Sequence, residues 1–120
     1  MWVHYLKAKI HRATLTGSNL HYEGSVSIGP EILEASGIRP FEKVDVYNIN
    51  NGERFTTYAI EGSHGCICLN GAAAWKGKVG DLVIIAAYCM LEESKVSNFQ
   101  PTLVYLSADN SIQSVKNKKN

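Results

Sequence analysis

A glycine followed by a serine, Gly24-Ser25 within Leu20-His21-Tyr22-Glu23-Gly24-Ser25, forms a peptide bond that can cut itself when a turn holds it under strain. Attack of the Ser25 hydroxyl on the Gly24 carbonyl gives an ester by N-to-O acyl shift, and elimination splits the chain. Hydrolysis of the resulting dehydroalanine leaves a pyruvoyl group in place of Ser25. Serine is needed because its oxygen is both nucleophile and leaving ester. Glycine is needed because it permits close approach and unusual dihedrals at the scissile carbonyl. Alone, the dipeptide is ordinary turn chemistry.

Other residues carry chemistry of their own. Arg54 offers a planar fork that grips a carboxylate bidentately, whereas Lys9 offers a point charge. Asn70-Gly71-Ala72-Ala73-Ala74 brings small residues into a helical turn, where successive backbone N–H groups can hold an anion; it also reads as a simple hairpin turn before an Ala-rich helix start. Tyr58, taken alone, is a core or interface aromatic. Cys66 and Cys68, one residue apart, read as small core hydrophobes sharing a strand face rather than as a metal clip, because zinc sites space paired cysteines by two residues or more.

Strands must position these groups. Leu6, Ala8 and Ile10 alternate with Lys7, Lys9 and His11, which predicts a strand with Lys9 and His11 turned away from the core. Gly29 to Gly37 predicts a short helix, with Pro30 at its first position and Gly37 at its end. Lys43–Ile49 and Arg54–Ile60, separated by Asn50-Asn51-Gly52-Glu53, predict a hairpin. Strands are also expected over Cys66–Leu69, Leu82–Tyr88 and Thr102–Leu106, with Pro101 ahead of the last and a helical turn over Ala72–Lys76. Many short strands with two small helices point to a mainly β fold, a closed or nearly closed barrel. Within Arg54–Ile60, alternation puts Arg54, Thr56 and Tyr58 on one face and Phe55 and Thr57 on the other.

Length and composition exclude several classes. A chain of 120 residues is expected to form one domain. Twelve basic against eleven acidic residues give a net charge of +1, which argues against nucleic acid as a partner. No apolar run approaches the roughly 20 residues of a membrane span, and the N-terminus does not read as a secretory signal, so the expected compartment is the cytoplasm. Three cysteines do not suggest a disulfide framework. Val115 to Asn120 reads as a frayed, solvated tail, and Leu91 to Asn120 carries no motif.

Lys9-Ile10-His11-Arg12, Gly24-Ser25, Asn51 to Ile60 and Asn70 to Ala74, in this order and spacing, make the chain resemble the pyruvoyl-dependent aspartate 1-decarboxylases from about Tyr5 to Tyr88. The resemblance implies a double-psi β-barrel assembled as a homotetramer, with active sites between protomers. It implies self-cleavage between Gly24 and Ser25 into a short chain, 1–24, and a larger chain, 25–120. It also implies decarboxylation of L-aspartate to β-alanine and carbon dioxide for pantothenate and coenzyme A synthesis. The pyruvoyl group made from Ser25 would take the substrate amine as a Schiff base, without pyridoxal phosphate or metal. Consistent with that, the sequence has no phosphate-cradling loop or dinucleotide fingerprint.

By resemblance, Lys9 and Arg54 bind substrate carboxylate, Thr57 polarises the Gly24 carbonyl and touches substrate, and Tyr58 returns a proton after decarboxylation. Gly71, Ala72 and Ala73 contact substrate, Asn70 hydrogen-bonds in the pyruvoyl pocket, and His11 and Tyr22 lie near the processing site. Roles for both Thr57 and Tyr58 require a bulge, a strand end, or use of the two faces by different protomers. The stretch Glu61 to Leu69 is shorter than in related bacterial sequences, and Trp75 occupies a position that varies. A decarboxylase of another acidic amino acid such as glutamate, and a non-catalytic β-barrel binding module, remain as alternatives. Whether cleavage is spontaneous or takes an accessory maturation protein stays open.

Overall fold

A computed structural model describes residues 1–117. Nine strands, β1 Trp2–Thr14, β2 Gly17–Asn19, β3 Ser25–Ile28, β4 Lys43–Asn48, β5 Arg54–Glu61, β6 Ile67–Asn70, β7 Leu82–Glu92, β8 Thr102–Leu106 and β9 Ile112–Lys116, form one sheet in the order β2-β6-β3-β5-β4-β7-β1-β8-β9. Helix α1 spans Pro30–Ser36, and short 3₁₀ helices cover Gly71–Lys76 and Glu93–Asn98. The fold is mainly β, as expected.

Strand β1 curls the sheet. Its register against β7 shifts between Leu6 and Ala8 and again between Ile10 and Ala13, where Arg12 takes φ 61°. Such irregularities bend and twist a strand. Past its end, the Leu15 N–H donates to the Asp81 carbonyl and the Thr16 N–H to the Ile67 carbonyl, both at 2.8 Å, so the chain crosses from β7 to β6 and wraps the sheet on itself. Inside lie Ile10, Leu15, Val26, Ile28, Val44, Val46, Ile67, Leu69, Val83, Ile85 and Val104, all buried, with Ile32 and Leu33 of α1 packed among them. Each fully buried aliphatic side chain is worth about 1.5–3 kcal/mol.

The hairpin and the helix form where the sequence signals them. Gly52 has φ 76° in the turn between β4 and β5, and Gly37 closes α1 in the left-handed region with its N–H on the Leu33 carbonyl. Three expectations change. The tail is not frayed at its start: Ile112–Lys116 pairs antiparallel with β8, and Val115 packs on the core. Residues 118–120 lie outside the described residues. Cys66 and Cys68 do share a side, but Ile67 and Leu69 take the core and leave the cysteines half-buried on the other face. The Cys66–Leu69 strand is also displaced by one residue, to Ile67–Asn70.

Candidate active site

Ser25 is the first residue of β3 and is wholly buried. On one side β3 runs antiparallel to β6, with Ser25 opposite Asn70. On the other it runs parallel to β5, with Val26 beside Ala59; carried back along the strands, this register sets Ser25 beside Tyr58 and Gly24 beside Thr57. The Ser25 Oγ donates to the Glu23 carbonyl at 3.0 Å and accepts from Asn70 Nδ2 at 3.0 Å. The same amide nitrogen reaches Ser27 Oγ at 2.9 Å.

Gly71 seats the next turn against the junction. It has φ 64°, and a Cβ there would stand 2.7 Å from both N and Cα of Gly24 and 2.9 Å from the Tyr22 carbonyl oxygen. Gly24 itself has open space where a Cβ would go and no positive φ, so in this chain the close approach is secured by glycine at 71 rather than at 24. The far end of the turn is pinned by buried Asn48, whose Nδ2 donates to the Lys76 carbonyl at 3.1 Å and to Asp81 Oδ2 at 3.0 Å. That bond, followed by the Lys78 N–H, holds the Asp81 carboxyl below the usual carboxylate range.

Between these elements lies a cavity of about 410 Å³ lined by Gly24, Phe55, Thr56, Thr57, Tyr58, Ala72, Ala73 and Lys76. It brings Thr57 and Tyr58 together without a bulge, since β5 pairs with β4 in unbroken register from Arg54 to Tyr58. The ladder between β3 and β5 begins only at Val26 and Ala59, so before Ala59 the flank of β5 meets the Gly24-Ser25 junction rather than a paired strand, and residues of both its faces line the cavity. Alternation holds otherwise: Phe55 and Thr57 sit opposite buried Val46 and Val44, while Thr56 donates to Asp45 Oδ1 at 2.7 Å on the outer face. Tyr58 stacks on Phe41, with centroids 6.3 Å apart.

Within one protomer the remaining candidates lie elsewhere. Arg54 points outward, its guanidinium 4.2 Å from the centre of the Tyr47 ring. Lys9 and His11 are on β1, separated from β3 by β5, β4 and β7 in the sheet order. His11 packs edge-on against Tyr105, and its Nδ1 is buried with no partner among the described residues. Burial first, then the charges of Lys9 and Arg12, pushes its imidazole below the ordinary range and keeps it neutral at pH 7. The Tyr22 side chain is exposed; its backbone lies at the junction.

Sequence reasoning missed Lys76, which lines the cavity and pairs with Glu53 at 3.1 Å, and Phe41 under Tyr58. The position of Lys76, one turn after Ala72 and Ala73, was a usable signal. Phe41 offered none: its N–H donates to the Ala59 carbonyl of β5 at 2.6 Å, but it lies in the turn between α1 and β4, outside any periodic stretch.

Fold and site define a class: a small β protein wrapped on itself, with a buried serine at a strand start, clamped by an asparagine and preceded by a glycine that lines a cavity with a tyrosine and a threonine. Comparison with known proteins gives the particular family. A family model described as aspartate decarboxylase matches residues 1–113, and the chain belongs to that family. An aspartate 1-decarboxylase of Hydrogenobaculum sp. is 56% identical over 113 residues, covering 94% of this chain and 90% of the relative. Those of Desulfotalea psychrophila, 52% identical, and Bdellovibrio bacteriovorus, 53% identical, cover 92% and 93% of this chain and 94% and 90% of their own lengths.

Proposed function

We propose that this chain is a self-processing, pyruvoyl-dependent lyase that removes the α-carboxylate of L-aspartate to give β-alanine and carbon dioxide, as a cytoplasmic step toward pantothenate. The observation that carries this reading is the setting of Ser25: buried, first in its strand, held by Asn70, and joined to a glycine that shares a cavity with Thr57 and Tyr58.

The residues fit the making of the group. Ser25 Oγ, held over the chain by its bond to the Glu23 carbonyl, attacks the Gly24 carbonyl carbon; the C–N bond breaks as the C–O bond forms, and the Ser25 nitrogen takes the proton. Thr57, beside Gly24 in register, polarises that carbonyl. Loss of the Ser25 α-proton then expels the Gly24 carboxylate, and one water enters as one ammonia leaves, dividing the chain into 1–24 and 25–120. The notch that Gly71 leaves at Gly24 holds the reacting bond in place, a positional contribution to lowering the barrier.

The resulting keto group supplies an electron sink for the departing carboxylate. Tyr58, which lines the cavity from β5, holds a proton for the carbon that loses carbon dioxide. Ala72 and Ala73 form the small-residue wall of the substrate cavity. Arg54 and Lys9 supply fixed positive charge for the substrate carboxylates. Because both stand away from the cavity of their own chain, they act from a neighbouring protomer, in a homotetramer whose sites lie between subunits.

Mass measurement of the purified, denatured protein tests this. The expected result is a fragment ending at Gly24 and a larger fragment that begins with a pyruvoyl group. One species at the full 13.2 kDa, inactive on aspartate, would overturn it.

A further inference from the structure

Resting on the self-cleavage reading, we propose that Cys68 is a positioning residue for the cut: its thiol orients the Asn70 amide so that the nitrogen, not the oxygen, faces Ser25. The hydrogen bonds at this corner run in one direction. Ser25 Oγ spends its single proton on the Glu23 carbonyl and so must accept from its other neighbour, Asn70 Nδ2. Ser27 Oγ takes the second amide proton at 2.9 Å. Both donors of Asn70 are thereby used, and its Oδ1 receives the Cys68 Sγ–H at 3.3 Å.

An amide turned by 180° would suit the two serines almost as well, because each hydroxyl could donate to Oδ1 instead. Only the third partner distinguishes the two arrangements. A thiol has a proton to give and is a poor acceptor, so it favours Oδ1 over the NH₂ group. Asn70 is 3% exposed, which leaves water little access to do the same. Burial pushes the Cys68 thiol up, with Cys66 adding in the same direction, so the S–H stays protonated at neutral pH. Gly17 makes room for the sulfur, since a Cβ there would lie 3.1 Å from it. In the observed orientation an N–H points at the oxygen that must become the nucleophile and supports the negative charge it gains on losing its proton. In the turned orientation Ser25 would lose that support and have its proton tied to Oδ1.

The test compares Cys68→Ser, which keeps a donor, with Cys68→Ala, which removes it. Freshly synthesised chain is followed by mass for cleavage after Gly24, and the Asn70 side-chain amide protons are followed by NMR exchange. Loss of one such hydrogen bond is expected to slow cleavage about three- to tenfold in Cys68→Ala, with Cys68→Ser near the wild-type rate. The amide protons should exchange faster in the alanine variant only. Cys68→Ala cutting at the wild-type rate, or Cys68→Ser slowed as much as Cys68→Ala, overturns the proposal. If the wild-type chain never cuts, the self-cleavage reading fails by itself. The amide readout then decides the orientation: unchanged protection in Cys68→Ala overturns it, and faster exchange there but not in Cys68→Ser supports it.

Discussion

The sheet treats its polar groups in opposite ways at two places. Around Ser25 the hydroxyls, the Asn70 amide and the Cys68 thiol are buried or half-buried and bonded to one another. On the outer face of β4, β5 and β7, Tyr47 reaches the Tyr88 hydroxyl at 2.8 Å and Asp45 at 3.3 Å, Arg54 lies over the Tyr47 ring, and the neighbouring cavity of about 570 Å³ is lined by His4, Lys43, Thr56 and Met90. Burial and the Tyr88 hydroxyl push the Tyr47 phenol well up, so it stays a donor. On the proposed function, the difference would separate two tasks. A reaction that a chain performs once upon itself is served by groups already locked together, whereas recognition of something outside the chain needs charge left open toward solvent.

The sharpest way to break this contrast is Ser25→Ala. It removes the nucleophile and one hydroxyl, so the chain should fold, remain uncut by mass and release no carbon dioxide from labelled aspartate; a split after position 24 in that variant would end the account. Tyr58→Phe lies at the border of the two regions. It keeps the stack on Phe41, so cleavage should proceed while aspartate turnover falls by about two to four orders of magnitude, the usual worth of general acid catalysis. Arg54→Lys belongs to the outer face. Cleavage should be untouched, and kcat/KM for aspartate should drop about ten- to a hundredfold, because a point charge replaces a bidentate fork. Near-normal kinetics would remove Arg54 from the site.

Gly71→Ala probes the inner region without touching a polar group. The added Cβ meets the Gly24 backbone, and the residue is held at φ 64°, so roughly 1–3 kcal/mol of strain should appear as a lower Tm together with slower cleavage. An alanine variant that melts and cuts normally would show that the notch has no role. The smallest effect is expected at the exposed turn after β8. Hydrogen bonds from Ser111, then Ser107, hold the Asp109 carboxyl at about 2, below its ordinary 3.8. A depressed folded value means stability present above about pH 3.8 and lost as pH falls toward 2. Asp109→Asn should flatten thermal stability in that window. Asp81, shifted in the same direction, keeps some slope in place.

Local signals were legible wherever one residue type forces a geometry. Asn51-Gly52 gave the hairpin, and Pro30 with Gly37 gave α1. Strand β2 has only Gly17, Ser18 and Asn19 to announce it, and β9 buries little beyond part of Val115, so neither shows the alternation that reveals a strand. Pairings such as β2 with β6 and β3 with β5 join distant parts of the chain, and periodicity holds no record of them. The Ser25, Thr57 and Asn70 cluster was reachable through motif order, but its mechanics were not. Which glycine makes the notch, and how Thr57 and Tyr58 come to line one cavity, depend on where the ladder between β3 and β5 begins and on the turn after β6.

That starting point has a thermodynamic consequence. The bond after Gly24 joins β2 to β3, so a cut there leaves β1, with Ala8, Ile10 and Ala13 in the core, on the short piece and its partners β7 and β8 on the long one. The product would be two molecules held by strand complementation, with the shorter contributing β1 between β7 and β8 and β2 at the edge against β6. Unfolding would then release two particles per protomer where the intact precursor releases one, and mass action would make the concentration dependence of its melting steeper than the one subunit assembly already gives Ser25→Ala. Dilution would destabilise the mature protein more steeply than the uncut one.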